Sequence, residues 1–249
     1  MPRLLLLLTL IALGGCATVN GPRDPRDPFE GFNRGVYAFN SDFDKKVAKP
    51  VAEGYQRVVP QTARTGVSNF FSNLDDVIVL VNDVLQLKGG KAASDFSRLA
   101  WNTTAGLFGL IDVATPMGLP KHNEDFGQTL GYWGVPSGPY LVLPFLGPSD
   151  IRDGTGDLVD YTQVDQINRI EPYHPTRLAV EALGAVNTRA NLLRASNLLE
   201  QAALDPYTFM REAYLQRRRS EIYDGNPPLP DFGGDEGLPP DDPPDSGNP

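Results

Sequence analysis

Residues 126–149 carry no formal charge, although they contain five glycines and four prolines, which interrupt regular helices. The wider stretch 99–149 holds only four charged side chains, whereas the 21% charged fraction of the whole chain would place about eleven there. A segment this broken cannot be a membrane-spanning helix, and it is too apolar for an ordinary solvent loop. It is either an irregular core segment of a soluble domain or non-helical backbone at membrane depth. The residues alone leave both possibilities open.

The N-terminus has the layout of a bacterial lipoprotein signal. Arg3 precedes a short apolar run, two glycines and Cys16, the only cysteine of the chain. We predict that residues 1–15 are a signal peptide and that Cys16 is lipidated, with residues 16–26 forming the lipidated cysteine and tether. The alternative is an ordinary secretory signal or an anchoring helix with a chance cysteine. Because Ala17 follows the cysteine, the expected location is the periplasmic face of a Gram-negative outer membrane.

The net charge of −9 is concentrated at the C-terminus. Residues 225–249 hold six acidic side chains, no lysine or arginine, and much proline and glycine, so we predict a disordered tail. The helical domain is predicted to span residues 27–224. The one basic cluster, residues 217–219, is interpreted as the solvated end of a helix, and nucleic-acid binding has no support. Because Cys16 is assigned to lipid, disulfides and a catalytic thiol are excluded.

Apolar residues recur at three- and four-residue spacing along most of the chain, which predicts a mainly α-helical domain. The first helix is expected to have Asp27 as its cap and to end at Pro50. Its aromatic stripe supplies three candidate membrane-facing side chains, Phe32, Phe39 and Phe43. Further helices are predicted at residues 51–58, 61–74, 75–87, 91–104, 150–161, 175–203 and 206–223.

Motifs for catalysis and metal binding are absent from the sequence. It contains no His-Glu-x-x-His zinc pattern, no Gly-x-Ser-x-Gly elbow and no Walker loop. His122 and His174 are interpreted as loop or surface residues. We therefore predict that the protein is not an enzyme and uses no cofactor or metal. A calcium site is conceivable at four aspartates with helical spacing, but a solvated acidic face is favoured for Asp150, Asp153, Asp157 and Asp160.

A series of motifs resembles the MlaA/VacJ lipoprotein family. The motifs occur in the family's order over nearly the whole mature chain apart from the acidic tail, and a lipoprotein signal precedes them. They are DPFEGFNR at 27–34 followed by Tyr37, Phe39 and Asn40, VPQxARxGxSNF at 59–70, EDFGQTLGYWGV at 124–135, GPYxxLP at 138–144, GPSxxRD at 147–153, DPY at 205–207 and REAY at 211–214.

This resemblance implies a fold, a function and partners. The implied fold is a ring of amphipathic, membrane-interfacial helices around a central channel, with one short hairpin-like Gly/Pro segment. The implied function is to remove mislocalised phospholipids from the outer leaflet through that channel and so to maintain lipid asymmetry. The implied partners are phospholipids, a trimeric outer-membrane porin and a soluble periplasmic phospholipid carrier.

We place the uncharged segment 126–149 beside the channel, because glycine permits close backbone approach and proline stiffens turns. The best strand signal of the chain, at residues 139–143, lies in the same segment. The candidate channel and hairpin residues are Gly131, Tyr132, Trp133, Gly134, Gly138, Pro139 and Tyr140.

The alternative function is a structural envelope lipoprotein that scaffolds a porin complex without handling lipid. A scaffold would need a charged, solvent-compatible middle, which residues 99–149 do not offer. A third hypothesis, an envelope hydrolase such as a phospholipase, needs a nucleophile and a base, and neither histidine lies in a recognisable arrangement.

The lipidation hypothesis predicts the outcome of Cys16→Ser. A serine hydroxyl cannot replace the thiol in thioether formation, so the variant should remain as uncleaved precursor or be mislocalised. Metabolic labelling with a palmitate analogue and membrane fractionation measure this. Normal cleavage after Gly15 together with outer-membrane retention of the serine variant would refute the hypothesis.

Overall fold

The computed structural model describes residues 24–164 and 174–228, which are mainly helical with one two-stranded sheet. The predicted signal peptide, Cys16 and the part of the predicted acidic tail from residue 229 lie outside the described residues. The elements are α1 (Glu30–Phe43), α2 (Lys49–Val58), α3 (Gln61–Leu85), α4 (Gly89–Thr104), α5 (Phe126–Tyr132), β1 (Tyr140–Leu143), β2 (Gly147–Asp150), α6 (Ile151–Val159), α7 (His174–Ala202) and α8 (Pro206–Ile222).

The start and end predicted for the first helix are both wrong. The residue before α1 is Phe29, which makes no side-chain cap, and Asp27 is instead fully buried. Pro50 does not end the helical path either, because a π-helical turn over Asp44–Ala48 leads directly into α2. The backbone N–H of Lys49 bonds the Asp44 carbonyl, so the widened turn admits a proline in the first turn of α2, where no intrahelical N–H donor is needed.

The two segments predicted at 61–74 and 75–87 form the single helix α3. The sequence has no glycine or proline around Leu74 and Asp75, where the two predicted segments meet, so nothing interrupts the helix there. A turn at residues 86–88 then returns the chain into α4, which packs along α3. The strand signal at 139–143 and the helices predicted at 91–104, 175–203 and 206–223 are confirmed within two residues at each end.

The facing surfaces of α3 and α4 are polar, and their outer surfaces are apolar. Most of the buried positions on the two helices are Asn, Asp or Arg. By contrast, Val84, Phe96 and Trp101 are 58%, 61% and 46% exposed. This is the reverse of a water-soluble helix, which turns its apolar stripe inward. Within the described residues, none of the helices is long and apolar enough to cross a membrane.

A small apolar core joins α1, the hairpin and α8. Its buried members are Val36, Tyr140, Val142, Tyr207 and Tyr214. The hairpin strands are antiparallel, with Tyr140 opposite Asp150. A buried Asn33 side chain docks β1 on α1, because its Nδ2 donates to the Tyr140 carbonyl at 3.0 Å and its Oδ1 accepts from the Val142 amide at 2.9 Å.

Helices α5 and α6 cross at two glycines. A Cβ on Gly156 would lie 2.3 Å from the Gly127 nitrogen, and a Cβ on Gly127 would lie 2.9 Å from Asp153 Cα. Both distances are shorter than real carbon contacts, so the two backbones touch only because neither residue has a side chain. This close crossing brings the beginning of α5 against the beginning of α6.

Gly156→Ala should therefore lower the free energy of unfolding by about 2–3 kcal/mol, since the methyl group meets backbone that cannot move aside. The matched control is Gly54→Ala in α2, where a Cβ has nothing within 4 Å and stability should be unchanged or higher. Denaturant unfolding in detergent measures both. Equal stability of the two variants would contradict the close crossing.

Candidate functional site

The first part of the polar interior is centred on Arg218 of α8. Arg218 Nη1 lies 2.6 Å from the Asp125 carboxylate and its Nε lies 2.6 Å from Asp153. Arg152 and the Tyr214 hydroxyl also bond Asp153, at 2.9 and 2.5 Å. Although burial disfavours the charged carboxylate, the hydrogen bond and charge of Arg218 outweigh it and lower the pKa of Asp153.

This arrangement corrects two predictions. Asp150, Asp153 and Asp160 are buried rather than part of a solvated acidic face, whereas Asp157 is exposed as predicted. Arg218 is likewise buried, although its neighbour Arg217 is exposed as predicted. The physical reason differs between the residues. Arg218 of α8 and Asp153 neutralise each other inside the fold, which makes their burial tolerable. Asp150 accepts a hydrogen bond from the Asp153 amide, and Asp160 accepts from the Phe126 amide and Asn82 Nδ2.

A second cluster surrounds Asp27, just before α1. Asp27 accepts hydrogen bonds from Asn33 Nδ2 at 2.8 Å and from the Tyr207 hydroxyl, and it pairs with Arg211 at 3.2 Å. Arg211 also lies 3.2 Å from Asp24. The first described residues of the chain are therefore fastened to α8.

A third cluster surrounds Glu124, in the segment before α5. Its carboxylate contacts Lys88 at 3.0 Å, Lys91 at 2.9 Å and Gln86 Nε2 at 2.9 Å. Both lysines also contact Asp224, at 2.6 Å each. This cluster ties the turn between α3 and α4 to the end of α8.

The interface between α3 and α4 contains a carboxyl pair. Burial and the hydrogen bond with Asp95 raise the pKa of Asp83 to about 7. His122 lies in a loop, as predicted. Its Nδ1 lies 2.8 Å from Oδ2 of the buried Asp95. Nearby, Asp76 is fully buried and pairs with Lys121.

Two cavities lie between α7 and the neighbouring helices, the first with a mainly polar lining and the second with a mainly apolar one. One of about 690 Å³ lies between α7, α2 and the start of α3, and one of about 570 Å³ lies between α7, α3 and residues 121–123. Asn191 lines both cavities, and its Nδ2 donates to Ser68 Oγ at 2.9 Å. Asn187 Nδ2 donates to the same oxygen at 2.8 Å. Side chains that line one or both cavities include Gln56, Arg64, Ser68, Ser72, Asn187, Asn191 and Arg194.

The predicted membrane-facing residues occupy different environments. Phe39 and Phe43 are 49% and 39% exposed, and both pack edge-on against Phe145 of the hairpin turn, with ring centroids 5.2 and 5.1 Å apart. Phe32 instead packs against the core that contains Tyr140 and Tyr207. Only the first two are placed to meet a surrounding medium.

The candidate channel segment also divides. Tyr132 and Trp133 are exposed, whereas Tyr140 is fully buried in the aromatic core. Gly134 and Gly138 have φ of +88° and +74°, which a side chain would strain. A Cβ on Gly131 would lie 2.9 Å from Arg152, and Pro139 precedes β1. Neither cavity is lined by these residues, so their place beside a channel remains a prediction.

Sequence reasoning missed the residues that line the cavities. Asn187 and Asn191 lie one helical turn apart on α7, and this i, i+4 pair of amides was the available signal. Among residues 24–164 and 174–228, no three His, Cys, Asp or Glu side chains are grouped in a way that could hold a metal ion.

The described residues thus define a helical protein with charged, hydrogen-bonded interior clusters, cavities and apolar outer surfaces. The sequence profile of the MlaA lipoprotein family matches residues 25–221. This chain belongs to that family.

Relatives and a solved structure agree with this membership. The intermembrane phospholipid transport system lipoprotein MlaA of Escherichia coli K12 is 40% identical, over 85% of this chain and 87% of the relative. That of Haemophilus influenzae is 34% identical, over 88% and 89%. An uncharacterised Rickettsia bellii protein is 36% identical, over 84% and 81%. A solved structure described as the structural basis for maintenance of bacterial outer membrane lipid asymmetry superimposes with a TM-score of 0.68 at 36% identity, covering 82% of this chain and all of that one.

The raised pKa of Asp83 predicts a pH dependence of stability. Between about pH 4 and pH 7 the folded protein retains a proton that the unfolded chain releases, so the free energy of unfolding should fall as pH rises through this window. Asp83→Asn, which is uncharged at every pH, should unfold at a higher temperature than the wild type at pH 8 and should lose less stability between pH 5 and pH 8.

The matched control is Asp75→Asn on the exposed side of the same helix, which should parallel the wild type. Asp150, whose pKa burial raises to about 6, should leave part of the slope in every variant. Thermal unfolding in detergent at both pH values tests this. Parallel curves for wild type and Asp83→Asn would show that Asp83 is charged in the folded protein throughout.

Proposed function

We propose that this protein is an outer-membrane lipoprotein that removes mislocalised phospholipids from the outer leaflet through a polar path and passes them to a periplasmic carrier. This function maintains the lipid asymmetry of the outer membrane. The observation that carries the proposal is the inverted polarity of α3 and α4, which bury Asp76, Asp83 and Asp95 and expose Val84, Phe96 and Trp101.

Inverted polarity suits a body that lies in the membrane interface. In water, exposed apolar side chains of this number would promote aggregation, whereas in lipid they replace the contacts of a core. A helix lying in the plane of the membrane needs only one apolar face, so no helix has to be long enough to span the bilayer. Lipidation at Cys16 would keep the body at the membrane surface.

The two cavities beside α7 support a route for lipid headgroups. A headgroup that leaves water without new hydrogen-bond partners meets a large desolvation barrier, and a polar lining lowers that barrier. Asn191, which lines both cavities, and Ser68, which lines the second, offer such partners. We propose that these cavities form part of the central channel of a ring of interfacial helices.

The partners and remaining site residues extend the proposal. We expect a trimeric porin to hold the protein in the outer membrane and a soluble carrier to receive the lipid. Gly131, Gly134 and Gly138 are proposed to shape the backbone beside the channel, with Phe39 and Phe43 facing lipid. Transfer along this route breaks no bond, so the function requires no catalytic residue.

Asn191→Trp tests the route. An indole at the point shared by the two cavities should obstruct lipid passage, so phospholipid should accumulate in the outer leaflet of cells that carry the variant. The measurement is surface-exposed phospholipid, together with the abundance of the protein and its copurification with porin. Both abundance and copurification should match the wild type.

The matched control is Leu198→Trp, which places the same ring on the exposed side of α7 away from both cavities. It should clear phospholipid normally. A scaffold that handles no lipid would tolerate both substitutions, so normal clearance by Asn191→Trp at normal abundance would exclude the proposed route.

A further inference from the structure

The described part of the chain has five residues other than glycine with positive φ, and four of them are leucine or phenylalanine. Leu87, Leu107, Phe108 and Phe145 have φ of 59°, 54°, 58° and 66°. Their side chains are also among the most exposed apolar groups, at 76%, 59%, 76% and 65%. Each position therefore combines two features that are separately unfavourable in water.

Left-handed backbone is costly for a residue with a bulky side chain, and glycine or asparagine normally occupies it. Strain of this kind persists where the surrounding structure enforces it, and it is concentrated at functional positions. Here the surroundings do enforce it. The Leu107–Phe108 turn is held by Gly109, whose N–H bonds the Asn102 carbonyl at 2.8 Å, and by Asn69, which bonds the Leu110 carbonyl at 3.1 Å.

The turn that contains Leu87 lies beside two aromatic side chains, Trp133 and Tyr132. Two residues before Leu87, the Leu85 carbonyl accepts a hydrogen bond from Trp133 Nε1 at 3.2 Å. Trp133 packs edge-on against Tyr132, and Lys88 Nζ lies 5.5 Å from the Tyr132 ring. Tyrosine and tryptophan beside an exposed apolar side chain are typical of the zone where a protein passes from water into hydrocarbon.

The strained turns are spread out rather than clustered. Leu87 precedes α4 and Leu107 follows it, so the two turns are separated by roughly 24 Å of helix. Phe145 forms a third point, where it contacts the exposed Phe39 and Phe43. Apolar points at both ends of one helix fit a helix that lies flat in a membrane interface.

We propose that Leu87, Leu107, Phe108 and Phe145 are bilayer anchors, whose side chains the left-handed turns hold in the hydrocarbon of the membrane. This inference deepens the proposed function and rests on its placement of the protein in the outer membrane.

The turn over residues 105–111 contains no charge that a protein partner in water could pair. Asp24 is fastened to Arg211 only eight residues after Cys16, which would keep the body within roughly 28 Å of a lipidated cysteine.

The two tryptophans of the chain allow a direct test. Trp133→Phe leaves Trp101 of α4 as the only fluorophore, and Trp101→Phe leaves Trp133 beside Leu87. Each full-length acylated protein is placed in phosphatidylcholine vesicles with acyl chains that are or are not brominated. Bromine quenches indole only on close approach, so both tryptophans should be quenched.

Glycine substitutions then separate anchoring from folding. Leu87→Gly should at least halve the quenching of Trp133 and leave that of Trp101 unchanged. Phe108→Gly should at least halve the quenching of Trp101 and leave that of Trp133 unchanged. Because glycine relieves left-handed strain, neither variant should unfold at a lower temperature than its parent. Phe108→Leu should retain most of the quenching.

The matched control is Leu204→Gly, which removes a fully exposed leucine from a turn without positive φ. It should change the quenching of neither tryptophan. Unchanged quenching in Leu87→Gly and Phe108→Gly, or no quenching of the parents, overturns the anchoring proposal. Phospholipid clearance by the same variants is scored separately, so a protein that clears lipid but shows no quenching refutes the anchors alone.

Discussion

Placing a charged group inside a protein requires a partner of opposite charge, and the fold depends on the pairing of Arg218. This one guanidinium joins α8 to Asp125, which caps α5, and to Asp153 in the first turn of α6. Removing it would leave two carboxylates without their main partner, a change that typically costs about 3–5 kcal/mol. The glycine crossing of α5 and α6 lies directly beside these carboxylates, so the charge pairing and the backbone packing require each other.

The polar interior changes what stabilises the outside of the protein. In water, Val84, Phe96 and Trp101 on the outer surfaces of α3 and α4 would be exposed, and the polar interior would provide no apolar core to compensate. In a bilayer the same side chains meet hydrocarbon, so the medium takes the place of a core. The buried pairs gain strength from the low dielectric around them, and they fix the orientation of the helices that hydrocarbon contacts alone would leave free.

Most of the helices could be predicted from sequence, because glycine, proline and apolar spacing are local signals. The end predicted at Pro50 was wrong because a π-helical turn, whose hydrogen bond closes over six residues, continues the helix through this proline. The aspartates of α6 misled for a different reason. Periodicity identifies which residues share a face but not which medium the face meets, and Arg218, which neutralises Asp153, is 65 residues away. The same limit hid the pairing of Asp83 with Asp95.

The distribution of charge also bears on how lipid could move. Most charged interior groups are paired with each other, whereas Asn191, the residue common to both cavities, and its neighbours Ser68 and Asn187 are neutral. A fixed unpaired charge there would hold a phosphate or an amine too tightly to release it. Neutral donors and acceptors replace the hydrogen bonds of water without adding a deep minimum, and passage through a pore needs binding that is favourable enough for entry and weak enough for exit. On the proposed route, this neutral group of side chains can therefore be polar and still release a headgroup.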